Sequence, residues 1–135
     1  MTPAAVSEQL QAVFGAAPSL LAQGVPCAMR VGEGEVLELR YVMDPPALCA
    51  ALPLGSLDRS DPVTPALKLL RTDLSLSHAG APHCALAPDH QQVYLCGTLL
   101  LEQADASVLG DRLQRLVTAA PQMRAALVSE HVLQA

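Results

Sequence analysis

The chain has 135 residues, about half of them apolar (51%) and only 16% charged, with a formal net charge of −5. That length fits one folded domain, and the acidic balance excludes the clustered Lys and Arg that nucleic acid or an anionic membrane surface demands. No stretch approaches the roughly 20 apolar residues of a membrane span, and the N-terminus lacks the basic region and apolar run of a signal peptide, so a cytoplasmic location is expected. Phe14, Tyr41 and Tyr94 are the only aromatics, leaving burial to Leu, Val and Ala, with Met as adaptable filler. A chain so apolar and so sparsely charged is expected to leave an apolar surface for a partner to cover. Arg far outnumbers Lys, and Asn and Ile are absent, as in a GC-rich bacterial coding sequence.

Val6, Leu10, Val13 and Phe14 fall on one face of a helix predicted over residues 3–15. Pro3 suits the first turn, where its missing N–H would be unpaired anyway, and Gly15 and Pro18 supply the stop. A short turn is expected around residues 19–23. The period then changes to two. Residues 27–31 and 36–42 read as strands around a Gly32-Glu33-Gly34-Glu35 hairpin loop. Leu37, Leu39 and Tyr41 share one face of the second strand, and Glu38 and Arg40 share the other, so this sheet has a wet side.

Asp44-Pro45-Pro46 reads as a break, and residues 47–52 fit either strand or helix. Pro53, a turn at Gly55 and the Asp61-Pro62 pair punctuate the next stretch of chain. A short helix is predicted over residues 64–71, with Leu67, Leu70 and Leu74 facing inward. Residues 83–87 and 92–101 read as strands around a Pro88-Asp89-His90-Gln91 turn. The second of these is apolar on both faces: Val93, Leu95 and Leu99 on one, Tyr94, Cys96 and Leu100 on the other. Helices cover one such face, and a second copy of the chain is an economical cover for the other.

From Asp105 or Ser107, either of which can cap it, a helix carries Leu109, Leu113, Leu116, Ala120, Met123 and Leu127 at spacings of three and four. Pro121 costs an interior helix about 3 kcal/mol, so a kink or break is expected near residues 119–120. The tail beyond Ser129 is expected to fray. The fold class is therefore α+β, a twisted antiparallel sheet of about five strands with three helices.

The sequence offers little chemistry. His83, Cys84, His90 and Cys96 could be gathered by a hairpin around zinc, but neighbours on a strand point to opposite faces, so His83 and Cys84 do not easily share an ion. Ser77-His78 lacks a nucleophile elbow. Gly32-Glu33-Gly34 lacks the third Gly, the Lys and the downstream helix of a phosphate loop. Glu33, Glu35 and Glu38 offer no opposing carboxylate across a cleft. The four cysteines form no CxxC pair and read as reduced, small hydrophobes. No catalytic residue, metal or cofactor is expected.

The order helix, hairpin, third strand, short helix, hairpin, long helix resembles the class I type III secretion chaperones of the CesT/Tir-chaperone family. The likeness runs from about Ser7 to Leu127. It is carried by residues 47–55, like the family's third strand ending in a Leu-Gly turn, and by Ala66-Leu67-Lys68-Leu69-Leu70, like its Leu-Leu helix. Cys84-Ala85-Leu86-Ala87, Val93-Tyr94-Leu95, Leu99-Leu100-Leu101 and the helix to Leu127 complete it. Arg71-Thr72-Asp73 departs from the family where an Asn is common, and Met123 departs where a Trp is common. The resemblance implies a homodimer that binds an extended N-terminal segment of a cognate effector, keeps it secretable and uses no ATP. By analogy, Leu10, Val13, Phe14, Met29, Leu37 and Leu39 are candidate groove residues, and Leu67, Leu70, Tyr94 and Cys96 candidate dimer-interface residues. Each would serve equally in a monomeric core. Two other readings compete: a small enzyme built on His83, Asp89 or His90, and an adaptor or assembly subunit with no secretion role.

Overall fold

The computed structural model describes residues 2–16, 18, 21–58, 63–76, 82–89, 91–102 and 105–134, without the side chains of Ala22 and residues 72–76. Ser77, His78 and His90 lie outside these residues, as does the side chain of Leu74.

Helix α1 (Pro3–Phe14) starts where the Thr2 hydroxyl accepts the Ala5 N–H at 3.2 Å. It stops at Gly15, whose φ of 75° lets its N–H turn back to the Gln11 carbonyl at 2.9 Å. Five strands occur in the predicted order: β1 (Cys27–Val31), β2 (Glu35–Met43), β3 (Pro46–Ser56), β4 (His83–Leu86) and β5 (Gln92–Leu100). They form one antiparallel sheet in the order β1-β2-β3-β5-β4. Helix α2 (Thr64–Leu76) joins β3 to β4, and α3 (Ala106–Ser129) closes the chain. Asp105 caps α3 by accepting the Val108 N–H at 3.0 Å.

The alternation read from sequence decides which face is covered. Leu37, Leu39, Leu48, Leu52, Val93 and Leu95 are buried on one side of the sheet, in one cluster with Val6 and Leu10 of α1 and Leu109, Leu113, Leu116 and Leu127 of α3. On the other side Arg30, Glu38, Arg40 and Thr98 are exposed. The two helices approach closely: a Cβ added at Gly110 of α3 would lie 3.0 Å from a Val13 methyl of α1.

Four expectations are corrected. The Gly55 turn is not a turn, because β3 runs through Pro53 and Gly55 to Ser56 with only a register shift between them. Pairing with β5, where Pro53 stands opposite Tyr94 and Gly55 opposite Val93, outweighs the local breakers. Helix α3 is not broken near Ala119 or Ala120; it continues through Pro121 to Ser129. Ala120 and Leu127 are fully buried on either side of the proline, and that packing offsets the proline's cost.

The tail does not fray either. Val132 and Leu133 are buried, Leu133 bridges Leu57, and the Gln134 N–H reaches the Ser56 carbonyl at 2.9 Å. Lastly, Leu67 and Leu70 of α2 do not face inward. They are 52% and 65% exposed, and Leu69 is the buried leucine between them.

Candidate partner-binding surfaces

Three surfaces can receive a partner. The first is a ridge on α2. Val63 is 61% exposed and lies one turn before Leu67, which lies one turn before Leu70, so the three share one helical face. Pro65 and Leu69 are buried instead, and α2 packs against β4. Three large aliphatic side chains aligned in water form a patch that a second apolar surface would cover. Both predicted interface leucines stand on it.

The second surface is the open face of the sheet. Cys49 of β3 stands opposite Thr98 of β5, Ala51 opposite Cys96, and Pro53 opposite Tyr94. Such small residues leave a shallow trough of about 480 Å³, floored in part by Cys49, Ala51 and Cys96 and edged by Glu38 and Arg40. Tyr94 and Cys96, the other two predicted interface residues, lie on this face and are half-buried. Burial pushes the Tyr94 phenol above its ordinary value, helped by the nearby Glu38 and Asp89 carboxylates, so it stays neutral and able to donate a hydrogen bond.

The remaining candidates lie at the end of α1 and on strand β1, which is at the edge of the sheet. Val13, Phe14 and Met29 are half-buried; Phe14 and Met29 pack against the core, and Val13 lies beside Gly110 of α3. Leu10, Leu37 and Leu39, the other predicted groove residues, lie wholly within the core with almost no accessible surface. Val25, just before β1, adds an exposed aliphatic side chain.

His83 and Cys84 do fall on opposite faces, His83 opposite Cys96 and Cys84 opposite Leu95. Among the described residues no three His, Cys, Asp or Glu side chains converge as metal ligands, and Cys27, Cys49, Cys84 and Cys96 are in no disulfide.

Sequence reading missed one polar device. Arg124 of α3 donates to both carboxylate oxygens of Glu35, at 2.8 and 2.9 Å, and to the Leu54 and Pro53 carbonyls, each at 3.0 Å. It therefore holds carbonyls at the β3 register shift while tying α3 to the start of β2. Nothing in the sequence joins residues so far apart.

No helix among the described residues is long and apolar enough to cross a membrane. No curated protein matches the sequence at a significant level. The fold, however, has clear counterparts. A chain of the HopA1–SchA chaperone–effector complex superimposes with a TM-score of 0.70 at 17% identity, covering 90% of this chain and 91% of that one. For the ExsC–ExsE complex the values are 0.73 and 15%, covering 93% and 92%. For the heterodimeric ExoU–SpcU complex of the Pseudomonas aeruginosa type III secretion system they are 0.66 and 19%, covering 95% and 97%. At such identities the likeness is one of fold. The sequence itself matches the pattern of the Tir chaperone protein (CesT) family over residues 8–124. The chain belongs to that family.

Proposed function

We propose that this protein is a type III secretion chaperone: a homodimer that binds the N-terminal segment of a cognate effector and keeps it soluble and secretable. The observation that carries this reading is the family fold, shared over nearly the whole chain with chaperone–effector complexes, on a molecule that leaves aligned aliphatic side chains in water. The α2 ridge is the self-association surface, joined by Tyr94 and Cys96 on the open sheet face. Val13, Phe14 and Met29 form the rim of an effector groove over the floor of Leu10, Leu37 and Leu39. The outer edge of β1, with no strand paired to it among the described residues, can accept an added strand, whose main-chain hydrogen bonds supply affinity while alternate side chains supply specificity. Nothing in this mechanism needs ATP, a metal or a catalytic group, and it operates in the bacterial cytoplasm.

The test is co-expression with the product of the neighbouring reading frame, followed by size-exclusion chromatography with light scattering. The expected result is a free chaperone at twice the 14.1 kDa chain mass and a neighbour that becomes soluble in complex with it. A monomeric protein that leaves the neighbour insoluble overturns the reading. A stable complex from which the bound protein is never secreted favours an adaptor instead.

A further inference from the structure

The four cysteines divide by face. Cys27 and Cys84 stand opposite Leu39 and Leu95 and pack against the core. Cys27 also borders the trough on the open sheet face, but its thiol is engaged, donating to the Val25 carbonyl at 3.0 Å. Cys49 and Cys96 stand on the open face itself, opposite Thr98 and Ala51. Both are half-buried and line the same trough of about 480 Å³, a volume in the range of small-molecule sites.

These two thiols do not bridge each other. They are diagonal neighbours on paired strands, about 7–8 Å apart at Cα, beyond the roughly 4.4–6.8 Å that a disulfide spans. Their surroundings also differ. The Thr98 hydroxyl donates to the Cys49 sulfur at 4.0 Å. Cys96 instead has His83 of β4 directly opposite it on the same face, with an exposed imidazole. Side chains so placed are about 4.5–5.5 Å apart at Cβ, close enough for the imidazole to take the thiol proton. At the trough's edge stand Glu38 and Arg40, both exposed and neither in an ion pair among the described residues.

We infer that Cys96 is a thiol-exchange site for a small disulfide that carries both carboxylate and ammonium groups. Arg40 meets a carboxylate, Glu38 meets an ammonium, and the adduct lies in the trough. The Cys96 thiol gives its proton to His83, and the thiolate attacks one sulfur of the disulfide. The old S–S bond breaks as the new one forms. The departing half leaves as a thiolate and takes up the proton, so the Cys96 sulfur is oxidised and the departing sulfur reduced. Cys49 lies too far away to displace the adduct, which therefore persists until an external thiol removes it. This chemistry does not depend on the chaperone reading, although the adduct stands on a face which that reading gives to self-association.

The probe is oxidised glutathione, with uncharged hydroxyethyl disulfide as its counterpart, incubated with the reduced full-length protein and followed by intact mass and peptide mapping. The expected result is one glutathione per chain, on Cys96, removed by dithiothreitol and lost in Cys96→Ser. His83→Gln should slow both probes alike, because it acts on the thiol. Arg40→Glu should slow glutathione by roughly tenfold, as when an attractive rim charge becomes repulsive, and leave hydroxyethyl disulfide unchanged. The same reaction on Leu67→Glu combined with Leu70→Glu guards against a second copy covering the trough. An adduct formed only in that variant sustains the site and shows that self-association shields it. Uptake at Cys27, Cys49 or Cys84 ahead of Cys96, no uptake by either protein at millimolar disulfide, or Arg40→Glu taking glutathione as fast as the wild type overturns the inference. Should Cys96→Ser fail to fold, the mapped position in the wild type and the Arg40→Glu comparison decide.

Discussion

Arg124 grips Glu35 through both Nη atoms, at 2.8 and 2.9 Å, across 89 residues of sequence. The same guanidinium satisfies the carbonyls of Pro53 and Leu54, so one side chain ties α3, β2 and the irregular part of β3. Bidentate charge-assisted bonds are among the stronger polar contacts a protein makes. Removing one partner strands the other, and Glu35 is only 11% exposed. Arg124→Met is therefore expected to cost about 1–3 kcal/mol, more than an exposed ion pair is worth. Urea denaturation measures it, and a loss under about half a kcal/mol, the scale of a surface pair, would show that the clamp is ornamental.

The same pair sets an acid limit. The Arg124 hydrogen bond, reinforced by its charge and opposed by burial, holds the Glu35 carboxyl below its ordinary value of 4.5. A depressed carboxyl contributes stability that is fully present above that unfolded value and is lost as pH falls through the folded one. The stability gap between wild type and Arg124→Met should accordingly be constant near neutrality and shrink below about pH 4.5. Thermal melts of both proteins across that range check it; a gap that stays constant down to acid unfolding contradicts the linkage.

Gly110 sits where α3 meets α1, and a Cβ there would come within 3.0 Å of a Val13 methyl. Replacing Gly by Ala inside a helix ordinarily gains about 1 kcal/mol, but the crowding works against it. Gly110→Ala is expected to destabilise the wild type by about 1 kcal/mol and to stabilise a Val13→Ala background by about the same amount. A double-mutant cycle reads the coupling directly. If the two substitutions are additive, Val13 does not press on Gly110.

The C-terminal strap should matter as much as any core residue. Leu133 is 2% exposed, packs near Gly55 and is held by the Asp58–Val132 and Gln134–Ser56 backbone bonds at 3.0 and 2.9 Å. Leu133→Ala should cost about 2–4 kcal/mol, as for other buried leucines, and truncation after Glu130 should cost more. A truncated protein with unchanged urea midpoint would place the strap outside the cooperative unit.

These features also mark what sequence could and could not convey. Elements whose signals are local were legible: Pro3 and Gly15 bounding α1, the alternation of Leu37, Leu39 and Tyr41, the Asp89 turn, whose Oδ1 accepts the Gln91 and Gln92 N–H groups at 2.9 and 3.1 Å. Where tertiary pairing overrides propensity, the reading failed. Pro53 and Gly55 look like punctuation but lie in a strand paired there with β5, at Tyr94 and Val93, and Pro121 looks like a break but is braced by buried neighbours. The tail offers too few apolar residues to show a period, so nothing distinguished Val132 and Leu133 from a frayed end. Of the candidate groove residues, Leu10, Leu37 and Leu39 could not be told from Val13, Phe14 and Met29, because alternation assigns a face of the sheet but not whether something already covers it.

Helix α2 poses that ambiguity most sharply, because Leu67, Leu69 and Leu70 crowd a single turn and only packing shows which points in. Leu69 is 5% exposed while its two neighbours stand in water. Substituting exposed leucines leaves a monomer's stability within about half a kcal/mol. It would nonetheless remove apolar area from a dimer interface and bury charge there, which is costly without a partner. Leu67→Glu combined with Leu70→Glu should thus leave a folded protein whose mass by light scattering falls from twice 14.1 kDa to a single chain. The Leu69→Glu control should unfold the protein instead, since it places a carboxylate in the core. A double variant that remains dimeric would move the interface off the α2 ridge, and Tyr94 and Cys96 on the open sheet face would then be the residues to substitute next.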